Sequence, residues 1–523
     1  MKRLLVNRWL TAGVSVMLAA GLLGGMVTPA AAAKTPKIDP NATLTFGSVV
    51  PAFTWDPIKL ANPNSGGQNY HPTYDQLVQL DNEGGVAPML ATSWKSSADG
   101  MTWTFKLRND VKFWDGSPLD ANAVKANLDR MKNGAGSLVA PLLSTMTSVT
   151  APDPTTVVVA FSAGNFAYPY LLAGDLRTSS IVNPKGFDDP TLASLPQGSG
   201  PYKVTASSPT GITWERVPNH WDKAAGKMAK VVMTYISDGA ARLNAFRSGQ
   251  VMAISGTADQ LQDLQQFVTK GSPYNLNLVE STYLMSALEI NITKPNVSNP
   301  LVRQAMGLVI DRQAIIDVAL PGAAKPTTQI FPSLVAGYVP SLDSAKNLKP
   351  NVAKAKKLMA EAGVPDGFTL NMVTQNLTLQ SNGAQIIQQQ LAQIGIKAEI
   401  TLGDSITSTT AYTQGKYDAL FFPLPAGIDP TQIMASSITS GRGFGNPPYL
   451  DAAIKEAAVM PLGPARTKAY EDISKTLVEQ PVHIMIGNQF TVFPAEKKVL
   501  GLDESPYSHI SSILDIRNLS IAK

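Results

Sequence analysis

The 523-residue chain has no cysteine and only four histidines, His71, His220, His483 and His509. Without thiols there is no disulfide, no thiolate nucleophile and no cysteine-held metal, so the fold must rest on its apolar core. No two histidines stand at the H-x-x-x-H spacing of a helical zinc site. A G-x-S-x-G elbow is missing, and Ser520 with Lys523 is the one serine–lysine pair at S-x-x-K spacing. Gly441-Arg-Gly-Phe-Gly445 lacks the Gly-Lys-Ser/Thr ending of a phosphate loop and reads as a glycine-rich surface loop. Excess charge of one sign is also missing. The formal net charge is +4, and Lys2, Arg3 and Arg8 supply three of those charges. Without them the balance is close to neutral, which gives no electrostatic case for nucleic acid or an anionic membrane as partner. No cofactor is implied.

What is present begins with a basic start, an apolar run from about Trp9 to Val27, and the small residues Ala30 to Ala33. That layout predicts a cleaved signal peptide over residues 1–33 rather than an anchor, because Gly21, Gly24, Gly25 and Pro29 weaken a spanning helix. With no cysteine after the run, the expectation is a periplasmic protein that is not a lipoprotein. A chain of this length with 44% hydrophobic residues can build more than one core, so at least two lobes are expected.

The most informative stretch is Ala87 to Met131. Asp99-Gly100 and Asp115-Gly116 are turn dipeptides, and between them Trp103, Phe105 and Leu107 alternate as in a half-buried strand, with Val111 and Phe113 repeating the pattern. Asp120 is placed to cap a helix whose Val124, Leu128 and Met131 share one face. Further on come Gly198-Ser-Gly-Pro-Tyr-Lys-Val204, then Asn219-His-Trp-Asp222 ahead of the strand-like Lys230 to Ile236. Val302-Arg-Gln-Ala305 and Ile310-Asp-Arg312 follow. In this order the pieces resemble the extracytoplasmic solute-binding proteins, family 5, of peptide- and nickel-type ABC importers. The resemblance runs from about Ala42 to Leu502. It implies an α/β, two-lobed periplasmic binding protein fold (type II, cluster C-like) with an additional small domain in the first lobe. The implied first lobe is 38–75 with 195–284 and 488–523, the small domain 76–194, and the second lobe 285–487. It further implies a monomer that binds a small-molecule ligand, works with ABC permease membrane subunits and is not an enzyme.

One unit is legible without the resemblance. Val352, Ala355, Met359 and Ala362 form a helical face that Gly363 and Pro365 terminate. Phe368, Leu370 and Met372 alternate as a strand, Ile387, Leu391 and Ile394 mark a helix, and Ile396 to Leu402 alternate again, which predicts a parallel βαβ crossover.

Binding between lobes needs lining residues. The loop Pro51 to Pro57 and the Gly/Asn/Ser-rich stretch running to Tyr70-His71 follow a core strand, where ligand contacts are often placed. Trp55, Tyr70, Trp114 and Tyr283 are the candidate aromatic walls. In peptide-binding relatives an aspartate in the segment resembling Phe421 to Pro430 pairs with the peptide's amino group. Here that position is Ala426, which cannot neutralise an ammonium. Phe422 and Asp429 are candidate contacts from this segment, with a turn or helix cap as the alternative for Asp429, and Arg442 could clamp a carboxylate. Arg303 and Arg312 read as structural. Three alternatives stay open: an oligopeptide binder anchored on Asp429, metal or metal-chelate capture through His71 or His483, and a hydrolase using a scattered carboxylate pair.

Overall fold

A computed structural model describes residues 36–49, 54–60, 63–425, 427–439, 444, 447–502, 507 and 514–523. The expected signal peptide, Ala426 and Arg442 lie outside the described residues. Among those described, eleven strands form one sheet: β1 Thr43–Ser48, β2 Tyr202–Ser208, β3 Gly211–Arg216, β4 Lys230–Tyr235, β5 Ala253–Ile254, β6 Tyr274–Ile290, β7 Ala324–Pro326, β8 Thr369–Gln375, β9 Lys397–Gly403, β10 Ala419–Pro425 and β11 His483–Glu496. Their order is β9-β8-β10-β6-β11-β5-β1-β4-β3-β2, with β7 beside β11.

This sheet has two parallel halves. In one, β1 lies between β4 and β5 and runs parallel to both. In the other, β8 lies between β9 and β10 and runs parallel to both. The halves are joined by the antiparallel pair β6 and β11, of 17 and 14 residues. At 3.3 Å per residue β6 spans roughly 56 Å, more than one lobe needs. Its pairing breaks in the middle: Glu280 faces Phe490, yet Met285 already faces Asn488, so residues 281–284 stand opposite Gln489 alone. Such a bulge bends a strand, and it falls where the two halves of the sheet join, the place where a hinge between lobes is expected. Apolar side chains sort to either side of it. Leu44, Phe46, Trp214, Val231 and Phe493 share one core. Beyond the bulge, Leu288, Met306, Ile316, Met372 and Leu391 form a second, and Met285, Phe331, Ile433 and Tyr470 a third.

A four-stranded antiparallel sheet (Ala91–Ser96, Thr102–Leu107, Thr156–Phe161, Met146–Asp153) extends the first core. Trp103, Phe105 and Leu107 point inward from it, and Asp120 accepts from Asn122 N and Ala123 N, both at 3.0 Å, to start the helix Ala121–Asn133. The βαβ unit appears as β8, the helix Thr378–Ala392 and β9, preceded by the helix Val352–Glu361, which stops at Gly363 with φ 79°.

One local expectation is corrected. Val111 and Phe113 do not extend a strand; Lys112 makes an isolated bridge with Pro118, which has no N–H to continue a ladder. The Gly/Asn/Ser-rich stretch, for which the sequence offered no element, forms the helix Pro63–Thr73. Its low propensity is overridden by tertiary packing, with the Tyr70 ring 6.4 Å from that of Trp55 and Trp214 Nε1 donating to Thr73 Oγ1 at 3.0 Å.

Candidate functional site

In open α/β sheets ligands sit outside the carboxyl ends of parallel strands. In the first lobe those ends are Ser48, Tyr235 and Ile254. The helix Pro63–Thr73 lays two amides against them: Gln68 Nε2 donates to Ser48 Oγ at 2.8 Å, and Asn69 Nδ2 to Tyr235 Oη at 3.4 Å. Burial pushes the Tyr235 phenol up to about 12 against the opposing bond from Asn69, so it stays a neutral hydroxyl. Ser255 follows β5 and its N–H donates to Gly47 O at 3.0 Å, while Gly256 N donates to Val492 O at 2.8 Å. The path continues along the crossing strands, where Glu280 Oε1 accepts from Asn488 Nδ2 and Ser333 Oγ, each at 3.0 Å. Ser333 belongs to the second lobe's side, so this carboxylate ties the hinge to both halves.

Along this path five buried atoms have no hydrogen-bond partner among the described residues: Gln68 Oε1, Asn69 Oδ1, Ser255 Oγ, Asn488 Oδ1 and Thr491 Oγ1. None of the five side chains is more than 7% exposed. Leaving such a group unpaired costs about 1–3 kcal/mol, a penalty that a polar ligand would remove. Among the described residues no histidine and carboxylate cluster could hold a metal ion.

The second lobe closes the rim. Gly84, at the turn between Val78–Leu80 and Val86–Pro88, has φ 80°, and a Cβ there would lie 2.7 Å from Leu334 O. Ile428, just after β10, packs with the first lobe's core. Next to it Asp429 is 1% exposed and caps the helix Pro430–Met434, accepting from Thr431 N at 2.8 Å. Arg466 Nη2 lies 2.9 Å from Asp429 Oδ2 and donates to Thr431 Oγ1 at 2.6 Å. Burial raises the Tyr170 phenol, with Asp429 adding to the rise and Arg466 opposing it, which places this first-lobe tyrosine within electrostatic reach of the pair.

The residues singled out from sequence are not brought together. Trp55 is 2% exposed, donates from Nε1 to Ser207 Oγ at 3.1 Å and meets Trp214 edge to face. Tyr70 is buried and donates to Thr54 O at 2.8 Å; desolvation raises its phenol well above the ordinary value. His71 is buried, with Nδ1 2.6 Å from Asp515 Oδ1 and its ring 4.3 Å from that of Tyr507. These three are packing residues of the first lobe. Trp114 bonds to Gly200 O at 3.0 Å and borders a separate cavity of about 220 Å³ with Asn183 and Gln197. Phe422, half-buried on β10, lines a recess with Ser286 and Gln489 of the crossing strands, so it adjoins the hinge. Tyr283 falls in the bulge, its side chain outside the described residues, as is Arg442. Gln68, Asn69, Ser255, Asn488 and Thr491 escaped sequence reasoning. The available signal was position, since Gln68 and Asn69 adjoin Tyr70 in the stretch singled out for ligand contacts.

Residues 85–446 match the model of the bacterial extracellular solute-binding proteins, family 5 (middle region). The glutathione-binding protein GsiB of Salmonella paratyphi A is 30% identical over 415 residues, covering 77% of this chain and 75% of its own. HbpA2 from Haemophilus parasuis superposes with a TM-score of 0.80 at 23% identity over 92% of this chain and 100% of that one. AgaA from A. tumefacien R10, solved with agropinic acid, gives 0.71 at 26% identity over 92% and 99%.

Proposed function

Because the chain belongs to the family 5 bacterial extracellular solute-binding proteins, we propose that it captures a small, peptide-like or other carboxylate-bearing organic solute between its lobes and delivers it to the permease subunits of an ABC importer. It acts as a monomer in the periplasm, after removal of residues 1–33, without a lipid anchor and without altering its cargo. The observation that carries this reading is the line of five unpartnered polar atoms from Gln68 to Thr491, which runs along the carboxyl ends of the first lobe's parallel strands and onto the hinge. Glutathione and agropinic acid, the solutes of two relatives, both carry carboxylates.

Neutral amides and hydroxyls suit the polar body of such a solute, and Glu280 suits an ammonium group. Asp429 is a poorer amino-group anchor, since its charge is already offset by the Arg466 guanidinium 2.9 Å from Oδ2 and Oδ1 accepts from Thr431 N and Arg466 Nη2. Phe422, Tyr283 and Arg442 remain our candidate contacts from the hinge and the second lobe. A solute touching both lobes stabilises the closed state only by as much as it prefers closed over open. Isothermal titration with glutathione, di- to pentapeptides and agropinic acid tests the class. Saturable binding of at least one, with a negative heat-capacity change, supports it; no heat from any of them rejects it.

A further inference from the structure

A cavity of about 510 Å³ in the second lobe shares no residue with the crevice path. Its wall includes Gln304, Arg312 and Thr328, the rim Lys346, Lys349 and Lys354, and Glu479 is the one carboxylate among its lining residues. Arg312 is 6% exposed. Its Nε donates to Thr327 O at 3.1 Å and Met485 O at 2.8 Å, and its Nη1 to Ile310 O at 3.4 Å; Nη2 donates to nothing among the described residues. Asp343 and Asp311 act on it through space, but neither forms an ion pair with it among the described residues. Asp343 accepts from Thr327 Oγ1, Thr328 N and Gln329 Nε2, while Asp311 caps its own helix through Ala314 N. Desolvation pulls the guanidinium down to about 10, with Asp343 and Asp311 opposing it only in part. The three lysines make no ion pair among the described residues either, and all are exposed.

A buried guanidinium with no ion-pair partner and a free Nη2 among the described residues, lining a cavity of ligand size under a lysine rim, is a receptor for negative charge. We propose that this cavity is a second binding site, distinct from the crevice, for a small anion bearing a carboxylate or phosphate group, held by Arg312 Nη2 and by Lys346, Lys349 and Lys354. The proposal does not depend on the identity of the crevice solute.

Titration of the full chain with citrate and with inorganic phosphate, each to about 10 mM, tests it and separates the two head groups. Saturable binding of either, weakened at least about tenfold in the Lys346→Gln/Lys349→Gln/Lys354→Gln variant and by raised salt, is the expected result. That variant changes exposed side chains only, so its thermal unfolding without anion should match the parent's. Arg312→Gln, which also removes carbonyl clamps, serves as a second variant, expected to lose binding at any temperature where it remains folded. No binding of either anion, or binding unchanged in the triple-lysine variant, overturns the proposal.

Discussion

On the first lobe's side of the crevice Gln68, Asn69 and Ser255 each bury a neutral oxygen that lacks a partner, whereas on the second lobe's side the charges of Asp429 and Arg466 lie 2.9 Å apart and offset each other, although Asp429 Oδ2 and Arg466 Nε make no hydrogen bond among the described residues. The two edges carry polarity for opposite purposes. A pair that compensates itself fixes the shape of a rim, while orphaned neutral groups store a penalty that a guest can relieve. On our proposal this difference assigns recognition to the first lobe and the crossing strands, with the second lobe supplying the closing surface through Ile428 and the Leu334 turn.

The largest effect should come from breaking the self-compensated edge. Arg466→Met strands the Asp429 carboxylate in a buried site and should lower stability by about 3–5 kcal/mol in thermal or denaturant unfolding. Adding Asp429→Asn, which keeps a capping oxygen, should recover most of that loss. A second charge cluster sharpens the contrast from the first lobe. Burial alone would raise Asp75, but the guanidinium of Arg517, with bonds from His220 and Trp221, holds its carboxyl well below the usual range. A depressed carboxylate contributes stability above its unfolded value and loses it as pH falls, so unfolding free energy should drop below about pH 4. In Asp75→Asn that acid limb should flatten in a pH series of denaturant melts.

Smaller effects probe the orphaned edge itself. Thr491→Val removes an unpaired hydroxyl without changing shape. The solute-free protein should be unchanged or up to about 1 kcal/mol more stable, while solute affinity falls by about 1–3 kcal/mol in calorimetry. A loss of stability with affinity intact would mean that the hydroxyl serves the fold. Gly84→Ala adds a Cβ facing Leu334 O at positive φ. It should cost about 1–2 kcal/mol and favour the open form, readable as a larger radius of gyration with solute present.

Sequence patterning recovered what depends on local periodicity. The strand through Trp103 and Phe105, the Asp120 cap and the parallel pair β8 and β9 are written in alternation, turn glycines and capping residues. Asp429 also caps its helix, the alternative that its place before Pro430 offered. The crevice was less legible. Trp55 and Tyr70 were attractive because large rings suit binding walls, but rings suit cores equally well, and these two satisfy their polar tips on Ser207 and Thr54 inside the first lobe. Whether Asn69 or Thr491 has a partner depends on chain segments hundreds of residues apart, and no spacing rule encodes it. The helix Pro63–Thr73 hid for a related reason, since packing against Trp55 and Trp214 sustains a sequence of poor helix formers.

Native mass spectrometry of the protein recovered from its own secretion compartment, beside an Asn69→Leu/Thr491→Val variant prepared identically, addresses the crevice most directly. The parent should carry a small adduct of defined mass, and the variant should have lost it while unfolding at an equal or higher temperature. Equal occupancy in both proteins would contradict the assignment of solute recognition to these buried, unpartnered groups.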